Sequence, residues 1–248
     1  MLKTSSRIIY RSTFLFTVII AGCLFTPFFQ KGHMPRQSMS ANLTCWWHRK
    51  IAHALGIPVQ VFGNPDNRPT LFIANHVSWF DIHAIGGILA VRFLSKAEVE
   101  KMPVMGWLAS RAGTLYISRG GKTASQEAIQ TMADALKQDQ NVILFAEGTT
   151  SDGNIKRFHS RLIQSAIDAG CNIQPIAIRY PHHKQLAHPA AHFIGDMSIG
   201  ESLSNILRAK TLSAEIHFLD VISTAERSRD ELAREAEEVV RGVVEKQN

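Results

Sequence analysis

The chain has 248 residues, 45% of them apolar, enough to bury one substantial core without disulfides. Its three cysteines, Cys23, Cys45 and Cys171, lie far apart in dissimilar surroundings, which argues against a disulfide framework or a zinc knuckle and fits a reducing compartment. The formal charge of +6 asks for an anionic partner, and its distribution favours a membrane surface over nucleic acid: no Asp or Glu precedes Asp66, while Lys3, Arg7, Arg11, Lys31, Arg36, Arg49 and Lys50 flank a long apolar run.

That run, 12–29, carries no formal charge and is at the short end of what crosses a bilayer as a helix. It reads as a membrane anchor. Two other readings stay open: a lipoprotein leader, because Ile20, Ala21, Gly22 and Cys23 resemble a lipobox, and an interfacial helix broken near Pro27. Positive charge flanks both ends, so charge does not orient the anchor. Residues 31–40 are polar, with Gly32 and Pro35, and read as a linker, which makes 1–40 an anchor and linker and 41–248 the main folded domain.

A helix over 42–55 places Trp46, Trp47, Ile51, Ala54 and Leu55 near one face and Arg49 and Lys50 on another. Paired tryptophans suit a bilayer interface, and equally a face packed on the domain's own core. After Gly56 the pattern predicts strands over 57–62, 70–74, 91–95, 114–118, 141–145, 173–179 and 214–221. Helices are predicted over 81–89, 99–112, 124–137 and 162–169, and an amphipathic closing helix over 225–246. The alternation predicts a single α/β domain.

The candidate chemistry follows the strand over 70–74, where Asn75, His76, Val77, Ser78, Trp79, Phe80 and Asp81 put a titratable His at a strand-to-loop boundary. If a helix begins near Ser78, its first turn returns Asp81 to the loop, where the carboxylate accepts a bond from one imidazole nitrogen and leaves the other as a base. Ser78 reads better as a helix N-cap than as a nucleophile. Spacing alone also allows a purely structural His and Asp.

The segment from Asn75 to Asp81 resembles the His, four residues, Asp motif of the glycerolipid and lysophospholipid acyltransferase family. Three further blocks occur in that family's order: Gly113 to Arg119, Phe145 to Thr150, and Ile173 to Ala177. The resemblance spans about 46–221. It implies a mixed β-sheet flanked by helices, with His76 as general base oriented by Asp81. It also implies acceptor contacts from Arg119, Glu147, Gly148, Thr149 and Thr150, with Arg119 on a phosphate or other anionic headgroup. Glu147 would hold a glycerol hydroxyl or brace its loop, and backbone amides near Gly148 and Thr149, or after His76, would stabilise the oxyanion.

The resemblance further implies a fatty acyl donor, acyl-CoA or acyl carrier protein, acting as co-substrate, with no cofactor and no metal. The acceptor would be a lysophospholipid in the inner (cytoplasmic) membrane, with the site facing the cytoplasm and 1-acylglycerol 3-phosphate as the default. Ala146 and Thr150 depart from the usual Pro and Arg of the third block, which removes one phosphate-binding cation. Lys156, Arg157 and His159 supply positive charge nearby. This version resembles branches that act on other lysolipids, including lyso-ornithine lipid. The rivals are a membrane-lipid-binding module without turnover and a lipid hydrolase using Ser78.

Other residues read plainly. Lys96 and Glu98 flank the site or are solvated, and Met102, Met105 and Trp107 are core or acyl-chain contacts. His182 and His183 belong to a loop, and the stretch 118–122 lacks Walker spacing.

Overall fold

The structure, a computed structural model, describes residues 4–28, 35–118 and 121–246. The strand segments are short and rich in Ile, Val, Leu and Phe, and they assemble into one seven-stranded sheet of order β1-β7-β6-β2-β5-β3-β4. In chain order the strands are β1 (Val59–Phe62), β2 (Leu71–Ala74), β3 (Arg92–Lys96), β4 (Leu115–Ile117), β5 (Val142–Phe145), β6 (Ile173–Arg179) and β7 (Ala214–Phe218). All neighbours are parallel except β6 and β7, so the sheet is mixed, as expected. β2, β3, β4, β5 and β6 point the same way, and their C-terminal ends share one edge.

Side chains alternate across this sheet with period two. In β2, Phe72 and Ala74 join a core shared with helices α2 (Met39–Leu55), α3 (Asp81–Gly86) and α8 (Ile199–Arg208). Leu71 and Ile73 face the opposite core, against α6 (Gly121–Lys137), α7 (Gln164–Ala169) and α9 (Arg229–Val244). β2, paired on both sides, is buried throughout, which explains its unbroken Leu-Phe-Ile-Ala run.

The apolar N-terminal run is a helix, α1 (Thr4–Phe25), followed by a single 3₁₀ turn over Thr26–Phe28. By length and composition α1 can cross a membrane. It starts eight residues before the uncharged run because Arg7 and Arg11 are used: Arg7 Nη2 donates to the Arg208 carbonyl at 2.9 Å, and Arg11 Nη1 to those of Leu207 and Ala209, both at 3.3 Å. These are carbonyls at the C-terminal end of α8, where helical groups lack partners and cations are favoured. Cys23 lies inside the continuous helix. The two tryptophans of α2 divide the two readings of that face. Trp47 turns inward and donates to the Val18 carbonyl at 2.8 Å, whereas Trp46 is 38% exposed, with Lys50 5.7 Å above its ring.

Two helix expectations need correction, and one helix had no counterpart among them. The segment 99–112 is two helices, α4 (Ala97–Glu100) and α5 (Met105–Arg111), divided where Pro103 precedes Val104 at φ +62°. α3 stops at Gly86, short of Leu89. α8 was not expected, and it is fixed at its start by a capping box of Ser198 and Glu201.

α2 is locked to α3 by a buried histidine pair. His48 and His83 share a hydrogen bond between their Nδ1 atoms at 2.9 Å, so one ring donates and the other accepts. Gly86 permits this approach, since a Cβ there would stand 2.6 Å from His48 Cδ2. Burial lowers His83 to about 4 and holds His48 well below the usual imidazole value, with His83 adding to the effect. Below the ordinary histidine value near 6.5 the unfolded chain takes up protons that the folded pair refuses, so stability falls as pH drops from about 6.5 toward about 4. Urea unfolding in detergent should lose on the order of 2–3 kcal/mol across that window, and His83→Gln should flatten the slope.

Candidate active site

The site is built at the edge where the five parallel strands end, the usual place for ligands in open α/β sheets. β2 ends at Ala74, and Asn75 seals the end of the ladder. Its side-chain amide donates to the Ile178 carbonyl at 3.0 Å, and its side-chain oxygen accepts the Ile178 amide at 2.8 Å. The chain then leaves the sheet, and the next side chain, His76, projects at the rim.

His76 Nδ1 lies 2.7 Å from Asp81 Oδ2. The Val77 and Ser78 amides also donate to Oδ2, at 2.8 and 3.0 Å, so the loop wraps around the carboxylate. Asp81 is the first residue of α3, where a negative charge is favoured, and its side chain is fully buried. An ionised carboxylate only accepts, so Nδ1 carries the proton and the Nε2 lone pair is left as the basic site. The ring stacks on Phe145, centroids 3.9 Å apart and planes 11° from parallel, and it keeps 17% side-chain exposure. His76 is thus fixed from two directions and reachable from one.

Glu147, two residues past the end of β5, is almost fully buried. Oε1 accepts the His76 amide at 2.8 Å and Oε2 the Lys156 amide at 3.0 Å. Burial raises its pKa, and the two amide bonds act in the opposite direction. Of its two expected roles, this geometry is that of the loop brace. Gly148 closes the turn at φ +68°, a conformation that disfavours residues with a Cβ, and its amide donates to the Phe145 carbonyl at 3.1 Å. Thr149 is exposed beside it. The Thr150 hydroxyl donates to the Phe193 carbonyl, and its own carbonyl accepts Lys156 Nζ at 3.2 Å. The Ser151 amide donates to the His76 carbonyl at 2.8 Å, tying this loop to the β2 exit.

The structure thus gathers His76, Asp81 and Glu147, with Gly148, Thr149 and Thr150 following along one loop. Arg119 lies outside the described residues, two positions in sequence beyond the end of β4. Ser78 does not cap α3. The helix begins at Asp81, and the Ser78 side chain, fully buried, accepts the Phe80 amide at 3.3 Å, which also makes it a poor nucleophile. Lys96 and Glu98 are exposed.

Sequence reasoning missed Tyr180. It directly follows β6, is fully buried, and its hydroxyl donates to Asp81 Oδ1. The available signal was a tyrosine ending an apolar strand, since a buried phenol must find a partner.

Glu147→Gln tests the brace. A glutamine has one accepting oxygen for two amide donors, so either the His76 or the Lys156 N–H faces an NH₂ group. Chemical denaturation should show a loss of about 1–3 kcal/mol.

The family model described as Acyltransferase matches residues 58–179, from the start of β1 to the end of β6. The lyso-ornithine lipid O-acyltransferase of Pseudomonas aeruginosa is 42% identical over 201 residues, covering 81% of this chain and 77% of that protein. The 1-acyl-sn-glycerol-3-phosphate acyltransferase of Neisseria meningitidis is 33% identical over 202 residues, covering 79% and 78%. The crystal structure of the 1-acyl-sn-glycerophosphate acyltransferase PlsC from Thermotoga maritima superposes with a TM-score of 0.68 over 98% of this chain and 95% of that one, at 20% identity, and so shares the fold. With the family model spanning the segments that hold His76, Asp81 and Glu147, and with these relatives matched over most of their length, the chain belongs to the acyltransferase family of PlsC-like O-acyltransferases.

Proposed function

We propose that this enzyme transfers a fatty acyl group from a thioester donor, acyl-CoA or acyl carrier protein, to the free hydroxyl of a lysolipid, with His76 as general base. The observation that carries the reading is the 2.7 Å bond between His76 Nδ1 and Asp81 Oδ2, which leaves Nε2 at the strand-end edge. In the step envisaged, Nε2 takes the acceptor's hydroxyl proton as that oxygen attacks the thioester carbonyl. The C–O bond forms, the C–S bond breaks as the tetrahedral intermediate collapses, and the proton passes to the leaving thiolate. No acyl-enzyme is required. The oxyanion would be held by amides of the 147–150 loop other than Gly148's, since the Val77, Ser78 and Gly148 amides already have acceptors.

For the acceptor we favour a lyso-ornithine lipid. Thr150 stands where the family commonly has a cation, and its hydroxyl is engaged with the Phe193 carbonyl. The relative at 42% identity carries that name. The sequence-based default, 1-acylglycerol 3-phosphate, is the second reading, supported by the Neisseria relative and by the expected anion contact of Arg119. Both acceptors are amphiphiles, which suits an anchored enzyme. α1 leaves Ile9, Phe16, Ile20 and Leu24 exposed, and burying them in lipid removes apolar surface from water. We propose the cytoplasmic membrane as its location, with the site facing the cytoplasm because acyl-CoA and acyl carrier protein are found there, residues 1–40 serving as anchor and linker and 41–248 as the catalytic domain.

Purified full-length protein in detergent, given labelled acyl-CoA or acyl carrier protein with each acceptor in turn, tests this. Product should form from lyso-ornithine lipid and vanish in His76→Ala, and Asp81→Asn should lower kcat by roughly 10³–10⁴-fold, as for other carboxylate-oriented bases. Turnover of 1-acylglycerol 3-phosphate alone would select the second reading. Full activity in His76→Ala would remove the base.

A further inference from the structure

The two oxygens of Asp81 are occupied in different ways. Oδ2 takes three N–H donors from its own loop, those of His76, Val77 and Ser78. Oδ1 takes the hydroxyl of Tyr180, 99 positions away in sequence. Both side chains are fully buried, so bulk water is not in competition for that oxygen.

Tyr180 is itself rigidly placed. It continues directly from β6, its carbonyl accepts the His188 amide at 2.8 Å, it bridges to Ala187, and its ring packs edge-on against Phe80 at 6.5 Å. Its hydroxyl also meets the Ser78 side chain. Burial and the Asp81 charge push the phenol well above its ordinary value, so it stays protonated and acts as a donor.

We propose that Tyr180 is a positioning residue for acyl transfer, the third member of a His76–Asp81–Tyr180 relay that fixes the carboxylate's rotation and sets how strongly Asp81 draws a proton onto His76. The proposal rests on His76 being the base. The three donors on Oδ2 already restrain rotation about Cβ–Cγ, and the donor on Oδ1 adds an anchor on the opposite side of the carboxylate, narrowing that rotation further. The same donor draws negative charge toward Oδ1 and away from the imidazole. Loss of the hydroxyl therefore strengthens the pull of Oδ2 on a proton at His76. Among the described residues, the ionisable groups at or beside the pair are Tyr180 from the end of β6, Glu147 from the end of β5, and Lys156, whose amide bonds Glu147, with His159 beside Gly148. None of these except Tyr180 bonds Oδ1.

Two variants move the donor in opposite directions. Tyr180→Phe keeps the ring and removes the hydroxyl, while 3,5-difluorotyrosine installed at position 180 keeps the hydroxyl and makes it more acidic. The readout is the pH titration of the His76 imidazole in the full chain in detergent, followed by NMR and assigned by its absence in His76→Ala. The titration midpoint should move up in Tyr180→Phe and down in the fluorinated protein. In turnover, Tyr180→Phe should lower kcat roughly tenfold, the scale of one hydrogen bond to a charged group, with the acceptor KM unchanged and the acid limb of the pH–rate profile shifted upward. A midpoint unmoved in both variants, with only thermal stability lost, would reduce Tyr180 to a packing residue and overturn the proposal. The fluorinated protein keeps the test decisive if Tyr180→Phe fails to fold. Because the titration needs no substrate, a wrong acceptor assignment leaves it readable, and a wrong base shows separately as activity surviving in His76→Ala.

Discussion

A carboxylate buried without partners is prohibitively costly, and the active-site end of this fold is arranged around avoiding that cost for Asp81. Three N–H groups from residues 76–78 converge on one oxygen and a phenol from the end of β6 reaches the other. Meeting those demands forces the loop into a tight wrap, starts α3 at Asp81, and turns the His76 ring so that Nδ1 faces inward. The basic nitrogen is thus exposed as a consequence of satisfying the acid.

The second carboxylate works on the backbone where the first works on the ring. Glu147 holds the His76 amide with one oxygen and the Lys156 amide with the other, joining the β2 exit to the loop beyond β5. Its raised pKa shows that burial outweighs two amide bonds, a cost accepted where a single side chain fixes two loops. Parallel pairing of β2 with β5 and β6 is what brings these exits together, because it lines up the ends of strands that are far apart in the chain.

What could be read from sequence divides along this line. The strands were legible because each is a short apolar run between turn residues, and β6 was expected over 173–179 and found at Ile173–Arg179. The His76 and Asp81 pair was legible because its five-residue spacing is local. Tyr180 and the Phe193 partner of Thr150 were not, because those contacts depend on how β6 and the 181–197 loop fold back onto the β2 and β5 exits. Ser78 misled because its hydroxyl can serve a turn as readily as a helix start. α8 carried a readable signature, Ser198 and Glu201 followed by Leu203, Ile206 and Leu207 at helical spacing, while Pro103 gave the warning that 99–112 does not run as one helix.

The N-terminal helix is joined to this arrangement by a continuous series of contacts. Arg7 and Arg11 tie α1 to the end of α8, and Trp47 of α2 binds the Val18 carbonyl of α1. The neighbouring His48 binds His83 of α3, the helix that begins with Asp81. A helix tethered only by a flexible linker would leave the position of His76 relative to α1 undefined. Here the joints are hydrogen bonds between helices, exposed at Arg7, half-buried at Arg11 and Trp47 and buried at His48, so the position of α1 fixes that of His76. Under the proposed function, with α1 in the membrane and His76 as base, the offset between them governs whether a lysolipid hydroxyl reaches Nε2 without leaving the membrane, and it is set by contacts among α1, α2, α3 and α8.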